Sequence, residues 1–145
     1  MVTCASGMGG LDGNLSAGRI VEQVWRLNRL PEVGRISNVV FMGMGEPLDN
    51  WPALRQALDI MLDPQGFAMS RRRIQISTSG PGEGLRRLVA DAPGVGLTLS
   101  LGGSTDDERR KVMPVPGRTR PSSVEEAAHH AGHVGHAAGE APLVV

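Results

Sequence analysis

The sequence predicts an α/β fold of parallel strands, and three observations carry that prediction. Short apolar runs alternate along the chain with segments whose apolar residues recur at spacings of three and four. Strand–helix–strand units of this kind place their strands in parallel, joined by right-handed crossovers. The carboxyl ends of three of the apolar runs read GMGEP, STSG and SLGGS, all small, polar and glycine-rich. In parallel α/β folds ligands gather at that end of the sheet, so the sequence names its active face before any chemistry is considered.

The elements follow in order. From Ala17 to Leu30, Ile20, Val21, Val24, Trp25 and Leu27 form one helical stripe. Val39 to Met42 is a compact strand running into Gly43. Asn50, Trp51 and Pro52 resemble a helix entrance with proline at an early position, and Leu54, Ala57, Leu58, Met61 and Leu62 continue it at helical spacing. Arg73 to Ser77 alternates with period two, as does Val95 to Ser100. Leu85, Leu88 and Val89 mark a shorter helix between them. Ser122 and Ser123 with Glu125 and Glu126 form capping-box patterns before a last helix rich in Ala, Gly and His, and Leu143 to Val145 reads as a fourth strand.

The 145 residues suffice for one domain with a moderate core but are short for a complete α/β barrel. Two Trp, two Phe and no Tyr make the core aliphatic and leave almost no platform for stacking bases. Fifteen basic and fifteen acidic side chains cancel, so net charge argues neither for nor against a nucleic-acid partner. The one cysteine, Cys4, has no disulfide partner, which points to a reducing, cytoplasmic setting. No apolar run approaches membrane-spanning length and no signal-peptide pattern opens the chain, so no membrane partner is expected. Met1 stands only three residues ahead of Cys4, an opening that suggests a larger pattern cut into.

Each strand tip admits a structural and a functional reading. Gly43 and Gly45 can take positive φ and let a ligand approach the backbone, Glu46 offers an acceptor for an ammonium or hydroxyl group, and Pro47 stiffens the exit. The same residues also suit a plain strand-to-helix turn with a solvated glutamate. A dinucleotide fingerprint is excluded, because Leu48 stands where the third glycine is required. Ser77, Thr78 and Ser79 present three hydroxyls that can bind ribose, carboxylate or phosphate, or cap the next segment, and Ser100 carries the same two readings. Cys4, in a glycine-rich loop, reads as a nucleophile, a metal or cluster ligand, or an inert thiol.

Taken together, CASGMGGLDGNLSAGRIVEQVW, VVFMGMGEPLDNW, DPQGFAMSRRRIQISTSG and LTLSLGGSTDDERRKVMPV, in that order from Cys4 to about Val115, resemble the radical S-adenosylmethionine methyltransferases of the RlmN/Cfr family. The resemblance implies an incomplete (β/α) barrel lacking its first strand. It implies methylation of adenine carbons in ribosomal RNA and, for part of the family, transfer RNA. The cofactors implied are S-adenosyl-L-methionine and a [4Fe-4S] cluster. Cys4 looks like the last cysteine of the CxxxCxxC cluster motif. Gly45 and Glu46 would contact the amino group of S-adenosylmethionine, with Ser77, Ser100 and Leu101 as further cofactor contacts.

The chain departs from the family pattern in several places. The first two cluster cysteines would precede Met1, and the methyl-carrying cysteine would follow Val145. Gly102 replaces the histidine of the family's Ser-Leu-His. A cluster needs three or four cysteine ligands, so Cys4 cannot hold one by itself. The resulting expectation is a cofactor-binding segment that is inactive alone. Residues 1–16 would be a remnant of the cluster loop, 17–115 the βα units with the binding tips, and 116–145 a divergent helix and final strand. The competing expectation is a non-catalytic remnant that keeps a nucleoside- or RNA-binding surface.

Two further patterns complete the sequence reading. Arg71 to Arg73, Arg109-Arg110-Lys111, and Arg118 with Arg120 are basic clusters that could meet RNA phosphates or simply face solvent. His129, His133 and His136 share a helical face that could bind a transition metal, but there is no HExxH, and Gly132, Gly135 and Gly139 weaken the helix. The expectation is therefore an exposed face without that role.

Overall fold

The computed structural model describes residues 12–42, 44–80, 82–92, 94–100, 107 and 143–144. Helix α1 spans Ala17–Leu27 and starts where Ser16 caps it, the Ser16 hydroxyl accepting from the Arg19 N–H at 3.3 Å. Ala17, Ile20 and Val24 are its buried residues, at the spacing a single apolar stripe requires. The helix ends three residues before Leu30 because Asn28 turns the chain. The Asn28 N–H donates to Val24 O at 3.0 Å while its side-chain oxygen accepts from the Ile36 N–H at 2.6 Å, directing the backbone toward β1.

Trp25 is a correction to the expected stripe. It is 49% exposed, and the Arg29 guanidinium lies 4.4 Å from its ring centroid. It follows Val21 by one turn on the flank of the stripe, so Val21 packs partly against the core while Trp25 points outward.

Strand β1 is Val39–Phe41, and Met42 beyond it is already 48% exposed. A 3₁₀ turn, Pro47–Asn50, leads into helix α2, Trp51–Leu62. Trp51, Leu54, Ala57, Leu58 and Met61 bury the inward side of α2. After it the chain reverses through Gly66 and is pinned by a Met69 N–H to Met61 O bond of 2.9 Å. Strand β2, Ile74–Thr78, begins one residue later than the alternation suggests, because Arg73 closes a 3₁₀ turn on Ser70 O at 3.0 Å. Helix α3, Gly82–Asp91, opens with Glu83 accepting from Arg86 and Arg87 at 3.0 Å each. The Arg86 and Arg87 guanidiniums hold the Glu83 carboxyl below its ordinary range. Strands β3, Gly96–Leu99, and β4, Leu143–Val144, complete the described elements.

All the pairings are parallel and the strand order is β3-β2-β1-β4. Val39 pairs with Ile74 and Phe41 with Ile76, and Ile76 pairs with Leu97. This register puts Val39, Phe41, Ile74, Ile76 and Leu97 on one sheet face, where they join Val24, Leu54, Leu58, Met61, Leu85 and Leu88 in a single core cluster. Each such fully buried aliphatic side chain contributes roughly 1.5–3 kcal/mol of burial. Val40, Gln75, Ser77 and Thr98 lie on the opposite face, where the Gln75 amide hydrogen-bonds the Thr98 hydroxyl. The α/β class and the parallel partial barrel expected from the sequence are what the chain adopts. The capping boxes at Ser122 and Ser123, the histidine face and the basic clusters at Arg109-Arg110-Lys111, Arg118 and Arg120 lie outside the described residues.

Candidate functional site at the strand tips

Because the strands are parallel, their carboxyl ends share one edge of the sheet, and the chain ties those ends together. Past β1 the backbone passes through Gly45 at φ 118°, in the left-handed region that favours glycine, and this turn brings Glu46 back beside the sheet. Glu46 itself is extended, at φ −124° and ψ 112°, and caps the 3₁₀ turn: its Oε1 accepts from the Leu48 N–H at 3.1 Å and its carbonyl from the Asp49 N–H at 3.1 Å. The carboxylate does more than cap. Oε1 also accepts from the Thr78 hydroxyl, and Oε2 accepts from the Ser79 N–H at 2.9 Å and the Ser79 hydroxyl at 2.7 Å. At least four donors from two strand tips therefore converge on one half-buried acid. The plain turn with a solvated glutamate is not what forms.

The second tip is also joined to the third. The Ser100 N–H donates to Thr78 O at 2.8 Å, continuing the β2–β3 ladder past its last strand residue. Thr78 is buried, and its hydroxyl accepts from the Gly80 N–H at 3.0 Å while donating to Glu46. Gly80 sits at φ 84°, which lets the chain turn sharply enough to make that contact. Ser77 is 7% exposed and, from the register, lies on the face away from the helices. Among the described residues no hydrogen bond reaches its hydroxyl, although a buried hydroxyl ordinarily has a partner.

The loop before α1 reaches the same edge, since the Asn50 amide donates to Leu15 O at 2.8 Å and Asn50 closes the turn that Glu46 caps. Gly45, Glu46, Ser77 and Ser100 are thus brought to one edge. Cys4, Leu101 and Gly102 lie outside the described residues. The sequence marks Thr78 and Ser79 as hydroxyls for a ligand or a cap and Asn50 as part of a helix entrance, but none of them as a partner of Glu46 or of Leu15 O. The only signal for the first two is that STSG offers more hydroxyls than a simple cap requires.

The opposite end of the sheet has a different character. Arg71 to Arg73 are exposed and feed the amino end of β2, far along the strand from Glu46. A groove of about 480 Å³ lies there too, lined by Asn28, Arg29, Arg35, Gly66, Phe67 and Met69 among others. Its residues belong to the loops entering β1 and β2, and none comes from a strand tip.

The residues fit the two implied cofactors unequally. A carboxylate, a buried hydroxyl without a partner among the described residues and a positive-φ glycine on one edge suit a zwitterionic nucleoside such as S-adenosylmethionine. A [4Fe-4S] cluster is not matched by the donors of this chain, which has one cysteine. Among the described residues no group of three His, Cys, Asp or Glu side chains could hold a metal ion. Among the described residues, too, no helix is long and apolar enough to cross a membrane.

Comparison with known proteins identifies relatives of the chain. No protein-family model matches the chain. Its relatives include a probable dual-specificity RNA methyltransferase RlmN of Symbiobacterium thermophilum, 48% identical over 113 residues, covering 77% of this chain and 30% of the relative. The corresponding protein of Rhodopirellula baltica is 41% identical over 139 residues, covering 95% and 37%. The dual-specificity RNA methyltransferase RlmN of Syntrophobacter fumaroxidans is 44% identical over 126 residues, covering 86% and 36%. The crystal structure of a radical SAM methyltransferase from Sphaerobacter thermophilus superposes with a TM-score of 0.80 at 36% identity, over 92% of this chain and 40% of that one. The chain spans about a third of the length of the curated relatives it matches.

Proposed function

The chain belongs to the RlmN family of radical S-adenosylmethionine methyltransferases, and on that footing we propose that its three linked strand tips form the S-adenosylmethionine seat of an enzyme that methylates adenine in RNA. The observation that supports this most is the Glu46 carboxylate, fixed at the junction of the β1 and β2 tips by donors from both. A carboxylate held in this way offers a preorganised counter-charge for the α-ammonium of the ligand's amino-acid end. Gly45 supplies backbone against which the same end lies. Ser77, Ser100 and Leu101 complete the proposed contacts, with the Ser77 hydroxyl turned to the face away from the helices.

Bound there, S-adenosylmethionine supplies the methyl group for an adenine carbon. Ribosomal RNA and transfer RNA are the proposed substrates of the intact enzyme, in a cytoplasmic setting. With one cysteine among these 145 residues, the contribution proposed for this segment is cofactor binding; Cys4 would be one cluster ligand among others supplied elsewhere.

The test is calorimetric titration of S-adenosylmethionine into the chain and into its Glu46→Ala variant. The unmodified chain is expected to release binding heat that Glu46→Ala abolishes. Equal heats from both would refute the assignment of Glu46.

A further inference from the structure

Resting on that reading, we propose that Thr78 is a positioning residue that sets the Glu46 carboxylate for the ligand's ammonium, and that the Ser79 hydroxyl holds the place the ammonium takes. An ionised carboxylate has about four acceptor positions. In Glu46 the donors that reach them include the Leu48 N–H, the Thr78 hydroxyl, the Ser79 N–H and the Ser79 hydroxyl. These four are not equivalent. The two N–H groups belong to the backbone and cannot turn away. The Thr78 hydroxyl is fixed from behind, because it accepts from the Gly80 N–H at 3.0 Å and the residue is 3% exposed.

The remaining donor, the Ser79 hydroxyl, is on a half-buried side chain with one rotatable bond to its oxygen. An incoming ammonium can replace it on Oε2 when the Ser79 side chain turns about that bond. Replacing any of the other three requires moving backbone or a buried side chain. The ligand class follows: a nucleoside that carries a primary ammonium on its tail, where one lacking that group gains nothing from the arrangement. Gly80, Thr78 and Glu46 form a chain of hydrogen bonds from the β2 exit to the β1 exit, so Thr78 governs the amine contact without touching the ligand.

The variants Thr78→Val and Thr78→Ser separate this role from a general structural one. Valine keeps the shape of threonine and removes the hydroxyl, whereas serine keeps the hydroxyl and removes the methyl. The ligands are S-adenosylhomocysteine, which has the amino-acid tail, and 5′-methylthioadenosine, which lacks it. Thr78→Val is expected to weaken S-adenosylhomocysteine binding by about tenfold, the loss of one charge-assisted hydrogen bond. It leaves 5′-methylthioadenosine binding unchanged, and Thr78→Ser binds both as the unmodified chain does. Equal weakening of both ligands by Thr78→Val would overturn the proposal, and so would a tenfold loss in Thr78→Ser or unchanged S-adenosylhomocysteine binding in Thr78→Val. Absence of binding by the unmodified chain would overturn the site reading itself, which distinguishes the two failures.

Discussion

Replacing Glu46 by glutamine probes the junction without any ligand. Glutamine keeps the shape of glutamate but exchanges one oxygen for an NH₂ group, which cannot accept. If the NH₂ takes the Oε1 position it faces the Leu48 N–H, and in the Oε2 position it faces the Ser79 N–H. The hydroxyls of Thr78 and Ser79 can reverse and accept from the amide, but a backbone N–H cannot. Either orientation therefore loses one N–H bond to a charged acceptor, about 1.5–3 kcal/mol, and the bonds that remain become neutral and weaker. Glu46 is half-buried, so water offsets part of the loss, and the expected destabilisation is about 2 kcal/mol. For a chain of this size that lowers Tm by about 8 °C. Urea unfolding followed by far-ultraviolet circular dichroism would show a lower midpoint with an unchanged slope. A Glu46→Gln midpoint within about 0.5 kcal/mol of the unmodified chain would refute the four-donor junction.

Two further substitutions test the packing. Leu58→Ala removes a side chain that is fully buried between α2 and the sheet, with an expected loss of about 2–5 kcal/mol, whereas Trp25→Ala, at an exposed position, costs less than about 1 kcal/mol in the same urea experiment. The reverse ranking would restore the uninterrupted α1 stripe. Gly66→Ala puts a Cβ 2.4 Å from the Ile60 carbonyl oxygen, where backbone has to shift, and is expected to destabilise by about 1–3 kcal/mol. A Gly66→Ala chain as stable as the original would show that the α2–β2 turn is looser than described.

The sequence carried the architecture because periodicity reports which face of an element is buried. The spacing of Leu54, Leu58 and Met61 marks the inward side of α2, and the glycine-rich ends of three strands mark the edge where Glu46, Ser77 and Ser100 meet. Periodicity reports faces but not partners, and that is where it stopped. Trp25 fits the stripe by spacing, yet lies at its margin, where a large amphipathic ring stays outside with a guanidinium over it. The start of β2 shifted by one residue because the Arg71 to Arg73 turn, closed on Ser70, takes Arg73 out of the strand. The bonds from Glu46 to Thr78 and Ser79 cross more than thirty residues, so no local pattern could distinguish a solvated acid from one held by a neighbouring strand tip. STSG looked like a set of ligand contacts or caps. Its second and third residues turn out to be the partners that hold Glu46.

The claim on which the account depends is that the strand tips, and not the arginine-lined groove at the far end, receive the nucleoside. Backbone amide shifts in ¹H–¹⁵N spectra, followed while S-adenosylhomocysteine is added to the isotope-labelled chain, measure this directly. The largest changes are expected on Gly45, Glu46, Ser77 to Gly80 and Ser100, while Asn28 to Arg35 and Gly66 to Met69 stay in place. Changes concentrated on those last two segments, with the Gly45 to Glu46 and Ser77 to Gly80 amides unmoved, would contradict it.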